Sequence, residues 1–237
     1  MKIIIGTEQE LAQKAAQQYK ALLSEKPNAV LGYATGSTPL GLYAELIRLC
    51  KAGQLDYRPV TTFNLDEYVG LDGSHEQSYR YFMNTNLFSH INIDLANTHV
   101  PSGLDIEAAG DYDRAIAAAG GIDLQLLGIG NNGHIGFNEP GTPFGSRTHL
   151  VDLTPSTREA NQRFFNALDE VPTQAVTMGI RTVMNARRIM LIALGKGKAE
   201  IIRKTILGPV TEEVPASVLQ LHPDVEIYLD HDAASLL

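Results

Sequence analysis

An α/β domain with a mostly parallel sheet and helices on both faces is what the sequence predicts, and three observations carry the prediction. Short apolar runs that read as buried strands alternate with helix-like stretches almost from end to end. Such alternation implies parallel strands joined by helical crossovers, which cover the sheet on both faces. No linker, repeat or low-complexity tract divides the 237 residues, so a single domain spanning 1–237 is expected.

Taken in order, "KIIIG" opens as a strand and runs into "TEQELAQKAAQQYKALLSEK". There Thr7 and Glu10 have the spacing of a capping box, and Leu11, Ala15, Tyr19 and Leu22 recur at helical spacing. "NAVLGYA" is a buried strand, followed by the turn "TGST" and a helix opening at Pro39. Leu42, Tyr43, Leu46, Ile47 and Cys50 fall on one face of that helix, and Gly53 ends it. Strand "VTTFNL" comes next, then helix "SHEQSYRYFMNTNLF", with Ser74 and Gln77 as a second capping box, and helix "IEAAGDYDRAIAAAG". Strand "IDLQLLG" leads into a Gly/Pro-rich segment. Beyond it lie strand "HLVDL", helix "STREANQRFFNAL", strand "RIMLIALG", helix "KAEIIRKTIL" and a last strand, "VEIYLD".

A composition of 44% hydrophobic and 19% charged residues suits a globular core. The net charge of −8 speaks against broad nucleic-acid binding, which relies on cations neutralising phosphates. It leaves room for a small anionic ligand held by a few local cations and amides. Cys50 is the lone cysteine, so neither an intramolecular disulfide nor a cysteine metal cluster can form, and a buried structural thiol is expected. "MKIIIGTEQE" has too short an apolar run for a signal peptide, and no 18-residue apolar run occurs. A cytoplasmic protein without membrane or nucleic-acid partners is expected.

"GIGNNGHIGFNEPG", residues 128–141, begins with the G-x-G-x-x-G spacing of a dinucleotide site, and Asp152 stands about 20 positions on. That motif needs a helix to start at its glycines so that pyrophosphate can rest on the helix N-terminus. The residues that follow include Gly136, Pro140, Gly141, Pro143 and Gly145, a density that no helix interior tolerates. A nicotinamide site is therefore not expected.

Ligands of such sheets collect beyond the carboxyl ends of the strands, and three strand ends carry chemistry. In "YATGSTPLGLY", Gly36, Ser37 and Thr38 precede a helix that Pro39 opens. They read either as a phosphate cradle or as an ordinary cap by Ser37 or Thr38. In "TTFNLDEYVGL", Asp66 and Glu67 stand where an apolar strand ends. They read either as a general base at the ligand rim or as solvated loop acids and caps. In the third, His134, a residue type suited to general acid–base work, is held between glycines, with Glu139 placed to orient or charge-couple its ring. Arg163 and Lys198 could neutralise a phosphate if the fold brings them to the hydroxyl loop. No metal-ligand spacing, Walker loop or G-x-S-x-G elbow is present. Together these groups suit proton transfer on a small phosphorylated carbonyl compound, such as aldose–ketose chemistry.

Five segments, "ATGSTPLGLY", "FNLDEYVGL", "GIGNNGHIGFNEPG", "SRTHLVDLTPSTREANQRFF" and "GPVTEEVPASVLQLHP", together resemble the glucosamine-6-phosphate deaminase family over nearly the whole chain. The resemblance implies a single, modified doubly wound α/β domain that converts glucosamine 6-phosphate and water into fructose 6-phosphate and ammonia, without metal or organic cofactor. It implies that His134 promotes ring opening with support from Glu139 and Asn132, and that Asp66 moves a proton from C2 to C1. It further implies that Gly36, Ser37, Thr38, Arg163 and Lys198 hold the phosphate, that Glu67 belongs to the substrate site, and that residues 148–177 form a mobile lid.

Two departures stand out. Asn132 occupies a place where many family members carry aspartate, leaving Glu139 alone to supply charge to His134. Thr142, His149 and Val151 stand where allosteric members carry a serine and an Arg-x-Lys pair, and the chain stops at Leu237. No activation by N-acetylglucosamine 6-phosphate is therefore expected; a sigmoidal rate curve made hyperbolic by that compound would show otherwise. The alternatives are a 6-phosphogluconolactonase-like hydrolase, which needs no base at C2, and a sugar-phosphate-sensing module, which could dispense with Asp66 and His134. A monomer or a small homo-oligomer is expected.

Overall fold

The computed structural model describes residues 1–162, 165 and 167–237. Its frame is a seven-stranded sheet. Val30–Tyr33 (β2) and Leu124–Leu127 (β6) are buried at every position. Side chains of a strand alternate between faces, so unbroken burial means that both faces are covered. Around this pair the order is β1-β10-β9-β6-β2-β3-β5, with β1 at Lys2–Ile5, β3 at Thr61–Asn64, β5 at Thr98–His99, β9 at Arg188–Ala193 and β10 at Val225–Leu229. Every pairing in this sheet is parallel.

From β2 the chain winds outward through β3 to β5. It then returns to the other side of β2 as β6 and winds the opposite way through β9 to β10. The connections thus diverge between β2 and β6. In a doubly wound sheet that divergence opens a crevice beyond the strand ends, and it lies where residues 34–38 and 128–138 leave the sheet.

Local chemistry sets the helices. In α1 (Glu8–Glu25) the Thr7 hydroxyl accepts from the Glu10 amide, and the Glu10 carboxylate accepts from the Thr7 amide at 2.8 Å, completing the capping box. Helix α2 (Leu40–Lys51) buries Leu42, Tyr43, Leu46 and Leu49 against the sheet, with Ile47 and Cys50 packed at the margin of the core. The Cys50 thiol is half-buried and donates to Asn92 Oδ1, so the thiol is less enclosed than the sequence suggests. Helix α3 (Tyr79–Asn86) starts four residues later than the Ser74–Gln77 spacing predicts. Its cap is Ser78, whose hydroxyl accepts from the Tyr81 amide, whereas Ser74 is spent on a turn with Asp72. Helices α4 (Ala109–Ala118), α6 (Ile180–Met184) and α7 (Ala199–Leu207) complete the frame with α5 (Pro155–Asn161), which is shorter than the helix expected over 156–168: Gln162 is its C-cap, and a 3-10 turn begins at Leu168. No described helix is long and apolar enough to cross a membrane.

A second, three-stranded antiparallel sheet departs from the sequence reading. Asp66 and Glu67 form its strand β4 (Asp66–Tyr68) instead of ending a strand in a loop. The run 149–152 (β7, His149–Asp152) joins this small sheet as well. Between them lies β8 (Gln174–Thr177), which the sequence reading passes over together with α6. Four residues of "QAVT" offer too short a period to register locally, and the strand exists because it has two partners.

Candidate active site

Both loops at the sheet's divergence line one cleft of about 760 Å³. From β2 comes the loop 34–38, where Gly36 has φ +92°, a conformation that side-chain-bearing residues rarely adopt. The Tyr43 hydroxyl donates to the Ala34 carbonyl oxygen and fixes the base of the loop. Helix α2 has Pro39 at its N-cap and no side-chain cap. Ser37 and Thr38 therefore do not serve as caps; both face the cleft.

Adjacent carboxylates in "LDEY" take opposite directions, as neighbours on a strand must. Asp66 lines the cleft and is buried. Burial, and then the neighbouring Glu67 charge, push its carboxyl up to about 8. Glu67 is not among the cleft-lining residues; its carboxylate accepts from the amides of Tyr68 and Tyr79 at 2.9 Å and of Arg80 at 3.0 Å. It satisfies the first amides of α3, which otherwise have no partner within the helix. Burial still raises the Glu67 carboxyl above its ordinary value, against the pull of these amides. Of the two readings of this motif, Glu67 is a cap and Asp66 is a buried acid facing the cleft.

No helix follows the fingerprint glycines: residues 128–148 run through turns until β7 begins. Their work is steric. A Cβ at Gly130 would stand 2.2–2.4 Å from three ring atoms of His134, so the imidazole lies directly on the Gly130 backbone. At Gly136, with φ +57°, a Cβ would meet Thr177 Oγ1 at 2.8 Å and Asp66 Oδ2 at 3.5 Å. The loop that carries His134 thereby passes beside Asp66. Strand β8 brackets the two motifs: Thr177 pairs with Asp66 across the small sheet, and its hydroxyl accepts from the Phe137 amide at 3.0 Å. Asn138 adds a bond to the Met178 carbonyl oxygen at 2.8 Å.

His134 Nδ1 stands 3.5 Å from Glu139 Oε2, with the ring partly exposed to the cleft. Asn132 donates to the same Oε2 at 2.5 Å while its own oxygen accepts from the His134 amide at 3.2 Å. Burial pushes the Glu139 carboxyl up, but the His134 ring, the Thr157 hydroxyl and the Asn132 amide outweigh it and bring it down to about 2. Glu139 is therefore an anion across the neutral range, and it can stabilise a proton on His134. Lys198 reaches the cleft from the turn before α7, with its ammonium donating to the Ile129 carbonyl oxygen and Asn131 Oδ1, both at 2.7 Å. Arg163 lies outside the described residues, as does Phe164.

A family model described as glucosamine-6-phosphate isomerases/6-phosphogluconolactonase matches residues 6–227. The chain belongs to that family. Among relatives of this isomerase/lactonase family, a glucosamine-6-phosphate deaminase of Clostridium perfringens is 53% identical, covering 99% of this chain and 98% of its own. One of Lachnoclostridium phytofermentans, with the same name, is 56% identical over 96% of this chain and 98% of its own. A solved structure of a monomeric glucosamine-6-phosphate deaminase superposes with a TM-score of 0.97 at 48% identity, covering all of both chains. A 6-phosphogluconolactonase from Trypanosoma cruzi superposes at 0.78 with 20% identity, over 100% of this chain and 96% of its own, a likeness of fold alone.

In this family member the structure also brings to the site residues that the sequence reading did not single out. Tyr68, Tyr79, Phe137 and Phe165 form an aromatic wall beside Asp66, with ring centroids 4.8, 5.8 and 5.9 Å from Tyr68. Thr157 bonds Glu139 from α5. The aromatic "FN" and "EY" neighbours of the acidic and histidine motifs were available as a signal. Thr157 and Thr177 were not, because only the tertiary fold brings them there.

Proposed function

We infer that this chain is a glucosamine-6-phosphate deaminase, converting glucosamine 6-phosphate and water into fructose 6-phosphate and ammonia. The observation that carries the reading is one cleft holding a buried acid poised near neutrality, Asp66, together with the His134–Glu139 pair and an open hydroxyl loop. Deaminase relatives at more than half identity across nearly the whole chain support it. Lactone hydrolysis gives no task to a base aimed at C2, and a module that only senses sugar phosphate gives none to either acid.

The roles follow from the chemistry. His134 transfers the proton between the anomeric hydroxyl and the ring oxygen, opening the pyranose to an aldehyde, with Glu139 stabilising the imidazolium. Asn132 holds Glu139 in place. Ionised Asp66 removes the C2 proton; the C–H electron pair forms C1=C2, and the aldehyde oxygen takes a proton. Asp66 then returns its proton to C1, leaving an imine at C2. Water adds there and ammonia leaves, so the C2 ketone remains. Gly36, Ser37, Thr38, Lys198 and Arg163 hold the phosphate, and the reaction needs no metal or organic cofactor. Glu67, through α3, supports the wall of the site. Residues 148–177 act as the lid. A monomer accords with the deaminase of the similar solved structure. A doubly charged sugar phosphate does not diffuse across membranes, which favours a cytoplasmic enzyme.

Ammonia and fructose 6-phosphate should form from glucosamine 6-phosphate, undiminished by a chelator; no ammonia would end the deaminase reading, and loss on chelation the metal-free one. Lys198→Ala should raise KM roughly 10–100-fold with a smaller change in kcat, the signature of a lost charge-assisted phosphate contact. Steady-state kinetics at fixed ionic strength measure this, and an unchanged KM would remove Lys198 from the phosphate site.

A further inference from the structure

Glu139 is gripped by two separate parts of the chain, one on each carboxylate oxygen. On Oε2 are the groups of its own loop, Asn132 at 2.5 Å and His134 at 3.5 Å. On Oε1 are two hydroxyls from the start of α5, Thr157 and, at 3.3 Å, Thr154. The single proton of the Thr154 hydroxyl goes to its shorter contact, Thr157 Oγ1 at 3.0 Å, and the same oxygen accepts from the Thr157 amide at 3.3 Å as the cap of α5. The hydroxyls thus form a short relay, Thr154 to Thr157 to Glu139. Thr157 is 6% exposed, so water is poorly placed to replace it.

The geometry points to Thr157 as a positioning residue: its hydroxyl locks the Glu139 carboxylate against His134, so that seating α5 and readying the His134–Glu139 pair are one event. The segment 154–157 belongs to the proposed lid, and the contact makes one carboxylate answer to both lid and histidine. His134 is the titratable group that faces Glu139; the other groups described at its oxygens, Asn132, Thr154 and Thr157, are neutral. With Oε1 released, the carboxylate can turn about its last torsion and leave the imidazolium with a weaker counter-charge. The reaction that reads this out rests on the deaminase assignment; the coupling does not.

A cycle of Thr157→Val, Glu139→Ala and their double variant tests it, with Thr157→Ser as the rescue. Thr157→Val should lower kcat roughly 10–100-fold with little change in KM, and Thr157→Ser should recover most of the loss. In the Glu139→Ala background, Thr157→Val should cost almost nothing more, because the group it positions is gone. Losses that multiply independently would overturn the proposal. Amide hydrogen exchange over residues 155–161 supplies a reading that needs no turnover. Exchange should quicken in each single variant and no further in the double, whereas unchanged protection in both singles would refute the lock. If the unmodified protein forms no ammonia, the deaminase assignment fails and the exchange cycle still decides the coupling.

Discussion

Asp66→Asn lowers kcat by roughly 10³-fold or more while glucosamine 6-phosphate still binds. Asparagine keeps the size and one acceptor oxygen of the buried acid but cannot take a proton from carbon, so the loss falls on the chemical step. In deuterated solvent, release of the C2 proton stops in this variant. Exchange at the unmodified rate would place the base elsewhere. The pH dependence follows from the same carboxyl. Burial and then the Glu67 charge push Asp66 up to about 8, so in the free enzyme the ionised, working form gains population as pH rises toward that value. An acid limb in kcat/KM near about 8 should therefore mark the enzyme and be absent from the residual rate of Asp66→Asn.

The same shift has a consequence for stability, with a defined sign. A carboxyl held above its unfolded value of 3.8 keeps its proton more firmly in the folded state. Its contribution is fully present below that value and is lost as pH rises through about 8. The amide of Asp66→Asn cannot ionise, so the variant should unfold at a higher temperature than the unmodified protein above about pH 8 and similarly to it near about pH 4. A buried acid that weakens the fold in the range where it works is the pattern of a site shaped for reaction.

How far the sequence reveals this site depends on where each group finds its partners. The α1 capping box is legible because Thr7 and Glu10 satisfy each other within one turn. The loops after β2 and β6 are legible because continuous apolar runs announce central strands, and the divergence of connections between them places a cleft at their ends. Asp66 and Glu67 cannot be told apart in "LDEY". One becomes a helix cap only because α3 arrives from residue 79, and the other is enclosed only because Gly136 and Thr177 pack beside it. The Ser74–Gln77 spacing promises a cap that Ser78 takes instead. Asn132, a departure when compared with its family, has a local reason in the fold. Its amide donates to Glu139, whereas an ionised aspartate there would set two like charges 2.5 Å apart.

Gly130→Ala should cost kcat about 10²-fold or more although it removes no reactive group. A methyl group there would fall 2.2–2.4 Å from the imidazole of His134, inside any tolerable contact, and the ring is the movable partner. It would have to swing off the backbone, giving up the 3.5 Å approach to Glu139 and its place in the cleft. The loss should therefore approach that of replacing His134 itself, and Gly130→Ala combined with His134→Gln should be barely worse than His134→Gln alone. Gly130 lies in a loop at the cleft, and His134 is partly exposed, so the cost should fall on the ring's placement more than on the core. The melting temperature should stay within a few degrees of the unmodified protein. A large drop in melting temperature, or a variant that turns over normally, would mean that the backbone yields instead of the ring. The glycine spacing that imitates a dinucleotide motif serves on this account to bring a histidine flat against the chain, within reach of the carboxylate nine residues beyond Gly130.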